Sequence, residues 1–333
     1  VSHLLEIDDL RIRFRAKSIV RAMIDRDRQP YIEAVCGASL KLAPAETFAI
    51  VGESGAGKTT LARAVIGLNR PHAGSIRFMG KELRGLTDKA FKPLRRDIAM
   101  MFQDPAGCLS PRMTVKSIIT EPFKIHGVRV SDLKREADRL LDLVGLPPAF
   151  GRYYPYQLSG GQARRVGVAR AVALSPKLII ADEPTAGLDV SVQGEVLNLM
   201  ARLRQELNIS FLMITHNLSV VRHTSDRMAI MYLGRFVETG PTDDIFARPR
   251  HPYTRALLSA TPQPDPDMAR DRVKLEGEIP SLIDRPSGCE FHPRCPLAKA
   301  ACRQAPPPRH RVGPVHKLYC YYPDGAAGPR PLL

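Results

Sequence analysis

Gly52–Leu68 reads GESGAGKTTLARAVIGL. A glycine-rich loop runs directly into an amphipathic helical pattern, and Gly52, Gly57, Lys58 and Thr59 satisfy G-x-x-x-x-G-K-[ST]. Polyphosphate binding needs this arrangement. Backbone N–H groups must wrap the phosphates, glycines let the chain come close, and a helix N-terminus adds the positive end of its dipole. On this reading Gly52, Glu53, Ser54, Gly55, Ala56, Gly57, Lys58, Thr59 and Thr60 form the cradle. Lys58 neutralises the β and γ phosphates, and the Thr59 hydroxyl takes a Mg2+ coordination place. The preceding TFAIV (47–51) reads as a short buried strand, so the loop joins strand to helix.

A second apolar run, LIIADEP (178–184), ends in two acids. A buried parallel strand delivers such carboxylates to the crevice where the phosphate loop lies. Asp182 then holds Mg2+, and Glu183 orients and deprotonates the attacking water. A third apolar run, ISFLMIT (209–215), ends at His216, which is placed to contact the γ-phosphate. Gln103, in AMMFQDP (99–105), likewise ends a strand-like run. A structural histidine and an exposed glutamine are the plainer readings of these last two.

LSGGQARRVGVARAVALSP (158–176) opens another helix with Ser159, Gly160, Gly161 and Gln162. This is a second anion-binding helix N-terminus in one chain. One nucleotide already has its phosphates enclosed by the first loop. The second tip therefore points to a nucleotide held by another copy.

Taken together these residues resemble the ATP-binding subunit of an ABC transporter. GESGAGKT is similar to the Walker A loop, Gln103 to the Q-loop, LSGGQ to the signature, LIIADE to Walker B, AGLD to the D-loop and His216 to the switch histidine. The resemblance implies a P-loop NTPase (RecA-like) α/β nucleotide-binding domain over residues 1–240, with a helical subdomain inserted at about 104–160. It implies a head-to-tail dimer in which Ser159 to Gln162 cap ATP on the partner's Walker A loop and Asp189 lies near the seam. Gln103 joins Thr59 and Asp182 around Mg2+. Tyr31 is favoured over Phe14 for stacking on adenine, the stretch from Arg15 to Pro30 being an insertion relative to shorter members. Ala45 stands where many relatives carry glycine, which puts slight strain on a turn.

HPYTRALLSATP (251–262), GEIPS (277–281) and GCEFHPRCPLAKAAC (288–302) resemble the C-terminal extension of oligopeptide and dipeptide importers. Residues 241–333 are thus expected to be a small, irregular extension. The implied partners are an identical or paralogous ATP-binding subunit, two permease subunits and an extracytoplasmic substrate-binding protein. The implied location is peripheral, at the cytoplasmic face of the bacterial inner membrane. An exporter ATPase is disfavoured by the extension. A soluble ABC ATPase acting on DNA or ribosomes is the rival from another class, but such proteins commonly carry two cassettes and one is visible here.

Four of the six cysteines, Cys289, Cys295, Cys302 and Cys320, fall in this extension, with five, six and seventeen residues between them. Zinc sites usually bring pairs separated by two to four residues, and wider spacing suits a bulkier cluster. The resembling importers include members with a [4Fe-4S] cluster here, so that cluster is the expectation, with zinc and unliganded thiols as alternatives. A metal would fold a proline-rich segment that has few long apolar runs.

Composition narrows the rest. At 333 residues the chain has length for about two domains. No apolar run reaches the ~18 residues of a membrane-spanning helix, and the start, VSHLLEIDDLRIRF, reads without a secretory signal. A net charge of +15 raises nucleic acid and anionic membrane as partners. Lys and Arg are spread along the chain among Asp and Glu, so no specific nucleic-acid binding is expected.

Overall fold

Strands β3 (Thr47–Val51), β7 (Leu178–Asp182) and β8 (Ser210–Thr215) are buried at every position. Parallel strands covered on both faces must be apolar throughout, hence their uninterrupted sequence runs. The computed structural model of the protein describes residues 3–16, 31–104, 107–261, 273 and 275–323. Within these, β3 pairs in parallel with β8 and with β9 (Arg227–Tyr232), β8 with β7, and β7 with β6 (Ile98–Met101). Val51 lies beside Thr215, Asp182 beside Ile214, and Met101 beside Ala181. All these strands therefore finish at one edge. The loops carrying Gly52, Gln103, Glu183 and His216 leave from that edge, which converts four separate sequence signals into one place.

A second sheet holds β1 (Leu5–Arg15), β2 (Tyr31–Leu42), β4 (Ala73–Phe78) and β5 (Lys81–Glu82), all antiparallel, in the order β2-β1-β4-β5. Leu5, Ile7, Leu10 and Ile12 bury one side of β1, and that core continues to Ile50 of β3 and to Leu61 and Val65 of the helix that follows it. Phe14 is paired with Ile32, next to Tyr31, so both candidate aromatics sit at one end of this sheet. Most of the insertion expected after Phe14, residues 17–30, lies outside the described residues.

Helix α1 (Lys58–Val65) follows the phosphate loop. The expected helical insertion contains α2 (Val115–Ile125) and α3 (Leu133–Leu143), which pack with α4 (Gly160–Val172) around Ile118, Ile119, Leu140, Leu141 and Val166. Local capping sets their starts. Thr114 accepts from the Ser117 amide at 3.3 Å, and Asp132 accepts from the amides of Lys134 and Arg135 at 2.8 and 3.0 Å. Helix α5 (Val190–Leu207) follows β7, and α6 (Leu218–Thr224) follows β8.

The C-terminal part is more regular than its prolines imply. β10 (Arg235–Pro241) pairs with β9, and its other edge is covered by β12 (Lys317–Tyr319), which in turn pairs with β11 (Arg309–Arg311). An uncovered β10 would leave a row of unpaired backbone groups. Helix α7 (Pro252–Ser259) places Tyr253 and Leu258 in the main core beside Phe291. The division expected between residues 240 and 241 falls inside β10, so one sheet runs through both parts.

Candidate active site

The phosphate loop is wedged between strands, and that is what its glycines permit. A Cβ on Gly52 would stand 2.2 Å from the Met231 carbonyl oxygen, and one on Gly57 would stand 2.3 Å from that of Ala34. Gly57 also has φ of 99°, a left-handed conformation open to glycine. Lys58, at the first turn of α1, is 7% exposed. Its amine donates to the carbonyls of Gly52 and Glu53 at 2.7 and 2.9 Å. Burial lowers its pKa, opposed by the carboxylates of Glu183, Asp182 and Glu53. The amine is thus held in a dry loop, turned onto the loop's own carbonyls.

The Thr59 hydroxyl donates to Asp182 Oδ1 at 3.2 Å. Burial raises the Asp182 pKa, with the Thr59 hydroxyl opposing. Two hard oxygen donors facing each other beside a buried ammonium are the donor type Mg2+ prefers, so the residues fit that ion. Glu183 follows with φ of 50°, uncommon outside glycine, and its amide donates to Ile214 O at 2.8 Å. Its Oε1 lies 2.7 Å from His216 Nδ1, and its Oε2 accepts the Thr215 hydroxyl at 3.2 Å. The His216 side chain is 68% exposed, so the histidine faces solvent while the carboxylate is held inside.

Ser159 and Gln162 open α4 as a reciprocal capping box. Ser159 Oγ accepts from the Gln162 amide at 3.3 Å, and Gln162 Oε1 accepts from the Ser159 amide at 2.9 Å. Ser159 and Gly160 are exposed, and Gly161 is half-buried against Val192. Asp189 is exposed at the N-cap of α5 without a side-chain cap bond, beside Val190, which is 86% exposed. Gln103 is also exposed. Tyr31 is 40% exposed, with the Arg13 guanidinium 4.4 Å from its ring centroid.

Four partners escaped the sequence reading. Arg164, 2% exposed, donates to the carbonyls of Phe102 and Gln103 at 3.3 Å and of Ala186 at 3.1 Å. It thereby ties the signature helix to the loops carrying Gln103 and Asp189. Arg294 and Tyr253, both from the extension, bind the Glu53 side chain. Thr215 was the one within reach, since it precedes His216 on the same strand. Long-range arginine contacts leave no periodic trace.

The four extension cysteines line one small cavity with His251, Phe291 and His292. The Cys289 amide donates to Cys302 O at 2.8 Å, folding the segment back on itself. Burial pushes the Cys289 thiol up to about 11 and Cys320 up to about 12, and it raises Cys295 as well. Thiolates are the metal-binding form, so binding must displace protons that burial retains. The expected ligand set is not assembled: among the described residues no group of three or more His, Cys, Asp or Glu is arranged to hold a metal. The cavity they line is about 10 Å³, the room of about one water molecule. A four-iron cluster does not fit it as arranged.

Comparison with known proteins agrees with the geometry. Residues 35–186 match the family model described as ABC transporter. Residues 237–302 match the one described as oligopeptide/dipeptide transporter, C-terminal region. The oligopeptide transport ATP-binding protein OppF of Escherichia coli is 45% identical over 308 residues, covering 91% of this chain and 92% of the relative. The Bacillus subtilis protein YkfD, named as a putative oligopeptide transport ATP-binding protein, is 42% identical over 322 residues, covering 96% and 95%. A dimeric ATP-binding cassette solved in a post-hydrolysis state with ADP and Pi superposes with a TM-score of 0.63 at 25% identity, over 72% of this chain and 98% of that one.

Proposed function

This chain belongs to the ABC transporter family, and from that premise we propose how its site powers the import of peptides or related small solutes across the cytoplasmic membrane. It is an ATP-binding subunit whose hydrolysis of ATP is coupled to transport. The carrying observation is the meeting of Lys58, Thr59, Asp182, Glu183 and His216 at one sheet edge.

Glu183 is the base. Its carboxylate is fixed on one side by Thr215 and on the other by His216, so it is oriented before water arrives. It accepts the proton of the water that attacks the γ-phosphorus, and the bond to the β-γ bridging oxygen breaks. Lys58 offsets the negative charge on the phosphates, and His216 contacts the γ-phosphate from the exposed side. Thr59 and Asp182, with Gln103, would hold Mg2+, which would supply positive charge against the nucleotide phosphates. Tyr31 stacks on adenine. Ser159, Gly160, Gly161 and Gln162 cap the nucleotide of a second ATP-binding subunit, identical or paralogous, with Asp189 at the seam. The exposure of Val190 beside Asp189 supports a seam there.

Two permease subunits complete the transporter, supplied by a separate binding protein. A cavity of about 390 Å³ between β6 and the helical subdomain, lined by Met100, Phe102, Pro122 and Ile125, supports permease docking at the Gln103 loop. Among the described residues no helix is long and apolar enough to cross a membrane. On this proposal the chain sits peripherally at the cytoplasmic face, a location supported by its likeness to importer ATP-binding proteins. The relatives named above are transport proteins and lend no support to a DNA or ribosome ATPase. Co-purification tests this: two integral membrane proteins are expected with the tagged chain, whereas ribosomes or salt-sensitive DNA binding overturn it.

The four extension cysteines as arranged do not fit a [4Fe-4S] cluster, and the proposed cycle routes no step through one. Iron and acid-labile sulfide found after anaerobic purification would overturn that reading.

A further inference from the structure

Glu53 is the first variable position of the phosphate loop, and nothing in the loop's own chemistry requires a carboxylate there. Arg294 nevertheless meets it with a two-pronged contact. Nη1 donates to Oε2 at 2.8 Å and Nη2 to Oε1 at 3.0 Å, the arginine side chain being 7% exposed and the glutamate 25%. A planar guanidinium paired in this way fixes direction as well as distance. Tyr253 closes the other side: its hydroxyl donates to Glu53 Oε2 and accepts from the Glu53 amide, both at 3.2 Å. Thus both the side chain and the backbone of one loop residue are gripped from the extension, 200 or more positions away in sequence.

The grip is rigid at its far end. Tyr253 is 0% exposed, its ring centroid 4.8 Å from that of Tyr232 and 5.3 Å from that of Phe291. The His251 ring Nδ1 accepts the Tyr253 amide at 3.1 Å at the start of α7. Arg294 sits on a short turn between Cys289 and Cys295, and its amide donates to Phe291 O at 3.0 Å. The near end reaches the phosphate site, because the Glu53 carbonyl accepts from Lys58 Nζ at 2.9 Å. Any shift of Glu53 moves a partner of the lysine that meets phosphate.

We propose that Arg294 and Tyr253 are positioning residues of the nucleotide site, holding the phosphate loop through Glu53, so that the C-terminal extension sets the affinity for ATP. This rests on reading Gly52–Thr60 as the ATP loop. The contact acts on the ground-state shape of the loop and touches no reacting atom. Its loss should therefore weaken binding more than turnover.

The test uses the full chain, with ATP and Mg2+ titrated calorimetrically and hydrolysis followed at saturating ATP. Arg294→Met and Glu53→Gln are each expected to weaken ATP binding about 5–20-fold, within the usual range of coupling between sites. The double variant should be no weaker than the worse single, because both remove one interaction. Arg294→Lys, with the charge but not the fork, should recover part of the loss, and kcat of Arg294→Met should stay within about twofold of wild type while KM rises. If Arg294→Met melts below assay temperature, Arg294→Lys and Tyr253→Phe carry the same measurement. Wild-type affinity in the folded variants, or losses that multiply in the double variant, overturn the proposal. Lys58→Ala is the separate control: unchanged ATP binding there would strike the loop assignment itself.

Discussion

Glu183 Oε1 lies 2.7 Å from His216 Nδ1, while Thr215 holds the other oxygen of the same carboxylate at 3.2 Å. A strained backbone, φ 50°, aims the side chain between them. If Glu183 is the base, Glu183→Gln keeps shape and hydrogen bonds but cannot take a proton. Turnover should fall by about 10²–10⁴, with ATP binding retained and a closed dimer accumulating with MgATP. Phosphate release and size-exclusion chromatography measure these. Retained steady-state hydrolysis removes Glu183 from the role.

Ser159 poses a different problem, since it already has a structural task as half of a capping box. Ser159→Ala is expected to cost about 1 kcal/mol of helix stability as well as any contact with a partner's nucleotide, so its loss of activity would be ambiguous. Ser159→Asp separates the two. Aspartate caps as well as serine but brings negative charge toward a γ-phosphate. The nucleotide-free melting temperature should stay close to wild type, and ATP-driven dimerisation in a Glu183→Gln background should vanish. A dimer that still forms shows that residue 159 does not meet phosphate.

Much of this site was legible because each part announces itself locally. The loop of Gly52 to Thr60 carries its glycines, and buried strands such as β7 and β8 read as apolar runs with the candidate residues at their ends. What stayed hidden depends on distance in sequence. Arg164, Arg294 and Tyr253 contact residues 22 to 241 positions away, and no periodicity marks an arginine whose partner is a remote carbonyl or carboxylate. The pairing of β12 with β10 was equally invisible, because a three-residue strand in a proline-rich segment has no pattern of its own. The cysteines show the converse: their spacing suggested convergence, and the small cavity they line gave no assembled ligand set among the described residues.

Ala45 lies in the left-handed region at φ 55°, so the slight strain expected at this turn is present. For a residue with a Cβ that conformation costs about 1–2 kcal/mol, whereas glycine pays about 0.4–1 kcal/mol in added freedom of the unfolded chain. Ala45→Gly should therefore stabilise by roughly 0.5–1 kcal/mol, raising the melting temperature by about 1 °C for a chain of this size. Scanning calorimetry of the two proteins measures it. A lower melting temperature would mean that the turn is not strained.

Glu238 joins the extension to the core sheet, and its ionisation should set part of the acid sensitivity. It is 0% exposed, and burial alone would raise its pKa. The His316 ring at 2.9 Å and the amides of Arg250 and His251 at 3.0 Å outweigh that and hold it below the ordinary carboxylate value. A carboxylate with a depressed folded pKa stabilises the fold above its unfolded pKa, and that stability is lost as pH falls through the folded one. Glu238→Gln should thus be less stable than wild type at pH 7, by about 1–3 kcal/mol, the usual cost of leaving buried hydrogen-bond partners unsatisfied. The gap should narrow as pH falls below about 4.5, where the unfolded wild-type glutamate begins to take up its proton. Urea unfolding at pH 7, 5, 4 and 3 follows the difference. A gap independent of pH would show that the buried carboxylate contributes through packing and not through its charge.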